Sequence, residues 1–288
     1  MQPAFIHLRV HTEFSLVDGI VKIKPLIKRL TELNMPAIAV TDHANLFSLV
    51  KFYKAAQGLG IKPIAGADVL ILNPEDPTTP YRLTLLVNNH TGYITLTELI
   101  SKAYQEGQHL GVPMLRQEWI EANHAGLIAL SGAMQGDIGK ALLAENIEEA
   151  QRLAEQWGNL FKNSFYLELQ RVGRPDEERY IAHAIDLALA TQLPVVATND
   201  VRFIHQKDFA AHEVRVCINQ GRVLDDSRRP KDYTDQQYLR STEEMLTLFA
   251  DIPEALENTV HIAQRCNCLL YTSPSPRDRT RSRMPSSA

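Results

Sequence analysis

Cysteine is scarce in this chain: Cys217, Cys266 and Cys268 are its whole complement in 288 residues. An odd, sparse set excludes a disulfide framework and suits a reducing compartment. No apolar run approaches the roughly 18 residues that a membrane-spanning helix needs. The opening MQPAFIHLRV has no basic start, apolar core or small-residue cleavage site, so a cytoplasmic protein without membrane contact is expected. A surplus of positive charge is missing as well. The formal charge is −4; four arginines against Asp278 give the stretch from Leu269 to Ala288 a net +3, leaving −7 for the body. Domains that grip duplex DNA by neutralising phosphates show a basic surplus. Bulk charge therefore argues against DNA binding by this segment alone and leaves room only for a local basic face.

What is present reads as an α/β domain large enough to bury a substantial core. Apolar runs alternate with amphipathic segments almost from end to end. Strands are predicted at Phe5 to Leu8, Ala37 to Val40, Pro63 to Leu72, Leu83 to Val87, Leu127 to Leu130, Phe165 to Leu169 and Pro194 to Ala197. Between them lie predicted helices at Val21 to Leu33, Leu46 to Gln57, Gly92 to Gln105, Asp137 to Leu143, Glu148 to Trp157 and Asp176 to Ala190. The remainder is helical: Phe209 to Ile218, a helix opened by the capping box Ser241-Thr242-Glu243-Glu244, and another opened by Pro253. Repeated βα units imply parallel strands with right-handed crossovers, and their number favours a barrel over an open sheet. The ending YTSPSPRDRTRSRMPSSA has no apolar periodicity and is expected to be a basic tail or a foreign junction outside the fold. Cys266-x-Cys268 stands at that junction and is a weak zinc signal.

Functional groups in parallel α/β folds collect where strands run into loops. Here those positions hold an unusual set of polar residues. HLRVHTEFSLVDG brings His7, Arg9, His11 and Asp18; TDHAN brings Asp42 and His43; GAD brings Asp68; TNDVR brings Asp200 and Arg202. Imidazoles and carboxylates converging from separate strand ends suit divalent Zn, Mn or Fe, which could activate water for phosphoester hydrolysis. Each residue alone also has a plain structural reading. Asp18, Asp42, Asp68 and Asp200 are each placed as turn or helix caps would be, and His7 as a buried, hydrogen-bonded ring. Their shared placement is what singles them out.

HLRVHTEFSLVDG, AVTDHANLFSLVKFYKAAQGLGIKPIAGADV, LLVNNHTGYITLTELISKAY, FYLELQRVGRPDEERY, LPVVATNDVRF, AHEVRVCINQGRVLDD and DIPEALENTVHIAQRCN, in this order, resemble the PHP (polymerase and histidinol phosphatase) domain at the N-terminus of bacterial DNA polymerase III α subunits. The resemblance covers residues 5–267 and breaks off near Cys268, so residues 1–267 are read as the domain and 268–288 as non-family. It implies a distorted (β/α)7 barrel of the PHP type with a trinuclear metal centre in metal-competent members. By position, His11, Asp18, His43 and Asp200 match family ligands, and Asp68 stands where those members have Glu. Arg9, Arg82, Val172 and Arg202 each stand where His is usual, and Ala133 where Cys is usual. Proteobacterial α subunits show the same kind of erosion.

The arginines change the chemistry that this resemblance implies. A guanidinium does not deprotonate, and one about 4 Å from a divalent ion is repelled by roughly 8 kcal/mol at an effective dielectric near 20. The expectation is that Arg9, Arg82 and Arg202 pair with Asp18, Asp68 and Asp200 in place of metals. No cofactor, or at most one residual Zn, Mn or Mg ion, is then expected in this domain; the Mg of polymerase chemistry belongs to a domain this chain does not include. The implied role is a catalytically silent part of a DNA-synthesising enzyme. Its implied partners are the remainder of the α subunit, a proofreading exonuclease subunit and, through the whole polymerase, DNA. The competing reading is a working metal-dependent phosphoesterase, a 3′–5′ exonuclease or a pyrophosphatase, using the surviving ligands. A free-standing histidinol-phosphatase-type enzyme fits poorly, because the motifs are polymerase motifs.

Overall fold

The computed structural model describes residues 4–226 and 228–268. Its central sheet uses β1 (Ala37–His43), β2 (Lys62–Ile71), β3 (Tyr81–Val87), β6 (Leu127–Leu130), β7 (Phe165–Gln170) and β8 (Val195–Thr198), adjacent in that order. A separate two-stranded hairpin joins β4 (Gln108–His109) to β5 (Val112–Pro113). The strands are buried along nearly their whole length, which explains why they read as continuous apolar runs rather than half-wet alternations.

The chain from His7 to His11 closes the curl of this sheet. The His7 carbonyl accepts from the Ala39 amide at 2.8 Å and the Val10 carbonyl from that of Thr41 at 2.9 Å, both on β1. On the other side the Val201 amide donates to Arg9 O at 3.2 Å, and the His11 amide to Val201 O at 2.9 Å, just past β8. The predicted first strand is therefore extended but carries no regular ladder; it is an irregular seventh stave between the sheet's two edges. This is the distorted barrel that the family resemblance implies.

One expectation is corrected. β3 runs antiparallel to both β2 and β6, whereas β1–β2, β6–β7 and β7–β8 are parallel. The reason is connection length: residues 72–80 hold no helix, and a parallel return needs a crossover of a dozen residues or more.

The helices cover the barrel from outside. α1 (Ile23–Glu32) buries Ile23, Leu26, Ile27 and Leu30, and α2 (Leu49–Gln57) buries Leu49, Phe52, Tyr53 and Ala56; both sets follow helical spacing. α3 (His90–Glu106), α4 (Gln117–Ala122), α5 (Asp137–Leu143), α6 (Ile147–Leu160) and α7 (Glu177–Thr191) continue around the wall. α8 (Phe209–Gln220) stands beside the mouth, where Arg215 Nε donates to Leu16 O at 2.9 Å. α9 (Thr242–Leu248) opens on the expected Ser241–Glu244 capping box, and α10 (Pro253–Arg265) has its proline in the first turn. α4 and the hairpin were not expected, being too short for a periodic signal. Among the described residues no helix is long and apolar enough to cross a membrane. The expected tail, from Leu269 onward, lies outside the described residues.

A second, inner core of Ile6, Leu8, Ala39, Ile64, Leu86, Ile128, Tyr166 and Val196 fills the barrel, stoppered at one end by Ile262, Ala263 and Cys266. Side chains alternate across a strand, so residues two and four places on from these share the inward face. That rule puts Thr41 and His43, Gly66 and Asp68, Thr84 and Arg82, Glu168 and Gln170, and Thr198 and Asp200 into the same interior. The barrel grades from apolar at the stoppered end to ionic at the mouth.

Candidate functional site

Asp68 is at the centre of the ionic layer. Its Oδ2 accepts from Arg9 Nη2 at 2.9 Å and from Arg82 Nη1 at 2.6 Å, with His11 Nε2 at 3.3 Å. Arg9 is buried and reaches across the barrel: Nη1 lies 3.2 Å from both oxygens of Glu168, and Nε 3.4 Å from Asp200 Oδ1. Asp200 also accepts from Arg202 Nη2 at 2.7 Å, Arg174 Nη2 at 2.9 Å and Gln237 Nε2 at 2.8 Å. Arg202 extends the chain of charges to Asp18 at 2.5 Å, and Tyr233 donates its hydroxyl to the same oxygen at 2.7 Å. Four arginines (Arg9, Arg82, Arg174, Arg202) thus face four carboxylates (Asp18, Asp68, Glu168, Asp200), and the layer balances its own charge.

Burial alone would push these carboxyls toward neutrality. Arg9 and Arg82 instead hold Asp68 well below the usual carboxylate range; Arg202, Arg9 and Arg174 do the same for Asp200, and Arg202 for Asp18. Burial likewise opposes the charge on Arg9, but Asp68, Glu168 and Asp200 hold it protonated. His43 is the exception. Burial, with Arg82 nearby, lowers its pKa to about 4, and its Nδ1 has no hydrogen-bond partner.

Asp42 has a structural role. It faces away from the barrel interior and gathers Thr12, Ser15 and Ser48, with the Thr12 amide at 2.7 Å and the Ser48 hydroxyl at 2.5 Å. It thereby pins the loop that carries His11 and Asp18 to the start of α2. His7 is a buried ring, as its plain reading expected, with Nε2 2.9 Å from Arg240 O. Asp200 itself adopts a left-handed backbone, φ 45°, a conformation that Asp tolerates better than most residues.

The sequence-derived residues fall into two groups. Arg9, His11, Asp18, Asp68, Arg82, Asp200 and Arg202 meet in the mouth, and His43 borders them; Ala133 and Val172 are buried and bring no side-chain donor. Arg9 and Arg202 point into the interior and not to solvent, each being 1% exposed. Glu168, Gln170, Arg174, Tyr233 and Gln237 were not foreseen. Glu168 did leave a signal, a lone carboxylate at an inward position of the apolar strand FYLELQ.

These side chains do not fit a three-metal cluster. Guanidinium nitrogens already stand where cations would, and among the described residues no three His, Cys, Asp or Glu side chains converge in a metal-holding arrangement. An added ion would meet repulsion from the arginines of roughly 8 kcal/mol each at about 4 Å. Among the described residues, Asp18 Oδ1, Asp68 Oδ1 and His43 Nδ1 of the layer have no hydrogen-bond partner, and Arg9 Nε, Arg202 Nη1 and His11 Nε2 have only ion-pair contacts.

Comparison with known proteins places this geometry. The PHP domain family matches residues 7–172. The chain is 56% identical over 268 residues to a DNA polymerase III subunit alpha of Pseudomonas fluorescens, covering 93% of this chain and 23% of the relative. It is 54% identical to that of Pseudomonas aeruginosa, with the same coverage. The corresponding subunit of Escherichia coli K12 is 52% identical, covering 92% of this chain and 23% of the relative. The chain therefore spans about a quarter of the length of the relatives it matches. Among solved structures it is similar to an amidohydrolase from Chromobacterium violaceum, at 15% identity and TM-score 0.48, over 68% of this chain and 87% of that one.

Proposed function

We propose a role that starts from one fact: this chain belongs to the PHP domain family. In that role it is the N-terminal PHP domain of a replicative DNA polymerase III α subunit, acting in the cytoplasm. Its barrel serves as a scaffold for the polymerase and as a dock for the proofreading exonuclease subunit. The observation that carries the scaffold reading is the self-balanced cluster of Arg9, Arg82, Arg174 and Arg202 with Asp18, Asp68, Glu168 and Asp200. His11, Asp18, His43, Asp68 and Asp200 are then vestigial ligands, and Arg9, Arg82 and Arg202 hold the mouth together as metals would have done. No bond-making step is assigned to this layer. DNA synthesis, with its Mg ions, resides in the rest of the α subunit. The test has two arms: the full-length α subunit should extend a primed template, and the 288-residue chain should not extend it but should retain the exonuclease subunit on a column. Failure to retain that subunit would sink the docking role.

A second reading, a phosphoesterase with one residual ion, draws on the unpaired Asp18 Oδ1, Asp68 Oδ1 and His43 Nδ1. Stoichiometric Zn or Mn in protein purified without chelator, with Mn-stimulated hydrolysis that His43→Ala abolishes, would establish it.

A further inference from the structure

The arginines of the mouth are taken up in ion pairs, but another set of cations is not. Lys22, Lys24, Lys51 and Lys54 are exposed, and none forms an ion pair among the described residues. They line one groove of about 540 Å3 between the start of α1 and the outer face of α2, in which Glu13 is the one acid. In a chain of net charge −4, this is a local basic face. Beside it stand two large apolar side chains with nothing packed over them. Phe47 is 62% exposed and Val50 59%. Val50, Lys51 and Lys54 share the outward stripe of α2 at helical spacing, and Phe47 lies in the turn just before the helix, three residues ahead of Val50. The ring of Phe14 lies 5.2 Å beneath Lys51 Nζ and helps hold that lysine over the groove.

We propose that this groove binds single-stranded nucleic acid, the four lysines meeting successive phosphates and Phe47 stacking against a base. An unpaired basic groove with an exposed aromatic at its edge is the arrangement that sequence-tolerant single-strand binding requires. A duplex hides the faces of its bases and gains nothing from Phe47. An acidic peptide would meet the lysines but makes no particular use of a flat exposed ring among cations. The proposal rests on the groove alone and does not depend on the α-subunit reading.

The test is fluorescence anisotropy of a labelled oligo-dT of about 20 nucleotides with the 288-residue chain, between about 50 and 200 mM salt. Binding should weaken with salt. Lys51→Ala/Lys54→Ala should lower the slope of log affinity against log salt by roughly 1.4, the share of two phosphate contacts on a single strand. Phe47→Ala should weaken binding on the order of tenfold, while Lys207→Ala, an exposed lysine of the Gln206–Asp208 turn that does not line the groove, should leave it unchanged. All these positions are exposed, so circular dichroism should show each variant folded. Absence of binding at low salt, or equal losses for Lys207→Ala and the groove variants, overturns the proposal. So does displacement of the oligonucleotide by a polyglutamate peptide at lower concentration than by unlabelled oligo-dT, which would mark the groove as a seat for an acidic protein segment.

Discussion

Asp68 Oδ2 takes hydrogen bonds from Arg9 and Arg82, but the two arginines differ in surroundings. Arg9 is fully buried, whereas the Arg82 side chain is 17% exposed. Water can replace part of what Arg82 supplies, so Arg82→Ala should destabilise by about 1–2 kcal/mol in chemical denaturation, less than the loss of a fully buried partner. His7 makes a separate prediction about pH. Burial lowers its pKa to about 4 against an ordinary 6.5, so the unfolded chain binds the proton more readily. Stability is then complete above pH 6.5 and declines as the pH falls toward 4. His7→Gln should flatten the fall of Tm between pH 7 and about 4.5; an unchanged slope would show that His7 does not set it. The depressed carboxyls of Asp18, Asp68 and Asp200 act lower, withdrawing stability only as the pH drops below about 4. Much of this layer was legible in the sequence, because His11, Asp18, Asp68, Asp200, Arg9 and Arg202 all follow strands or loops with recognisable spacing. Arg174 and Tyr233 were not legible. Arg174 sits in the short β7–α7 connection and Tyr233 in the long one between α8 and α9, and each is an ordinary polar residue brought to the mouth by contacts such as Tyr233 with Asp18 and Arg174 with Asp200.

Elements show the same division. Alternation along β2, β7 and β8 and its continuation puts Asp68, Glu168 and Asp200 on one interior, yet Glu168 was not singled out, because a lone carboxylate in an apolar strand carries no motif. The direction of β3 was not readable from periodicity, since parallel and antiparallel strands bury the same pattern of residues. The first stave likewise reads as a strand by composition, yet it bonds irregularly to both edges of the sheet. Close approach of backbones is a further feature that composition conceals. A Cβ on Gly92 would lie 1.8 Å from the Gly126 carbonyl oxygen, at the point where the Asn89 side chain caps α3. Gly92→Ala must therefore push the start of α3 away from the turn before β6, destabilising the chain by about 3 kcal/mol in urea denaturation. A variant as stable as the parent would show that this junction yields freely.

At the scale of the whole molecule, the barrel is filled with apolar side chains below and balanced ions above, and in the proposed reading these ions, not a metal, hold its mouth closed. That is the central claim, and Arg9 is its keystone, touching Asp68, Glu168 and Asp200 from three staves. The metal centre that the resemblance implies and the arginine cluster would be alternative ways of neutralising the same inward carboxylates, so they predict opposite responses to a chelator. The decisive measurement is the unfolding free energy of the parent and Arg9→Ala, each with and without EDTA. The account predicts a loss of about 3–5 kcal/mol in Arg9→Ala, from carboxylates left without their buried partner, and no effect of EDTA on the parent. A parent destabilised by EDTA, or an Arg9→Ala variant within about 0.5 kcal/mol of it, would contradict the claim.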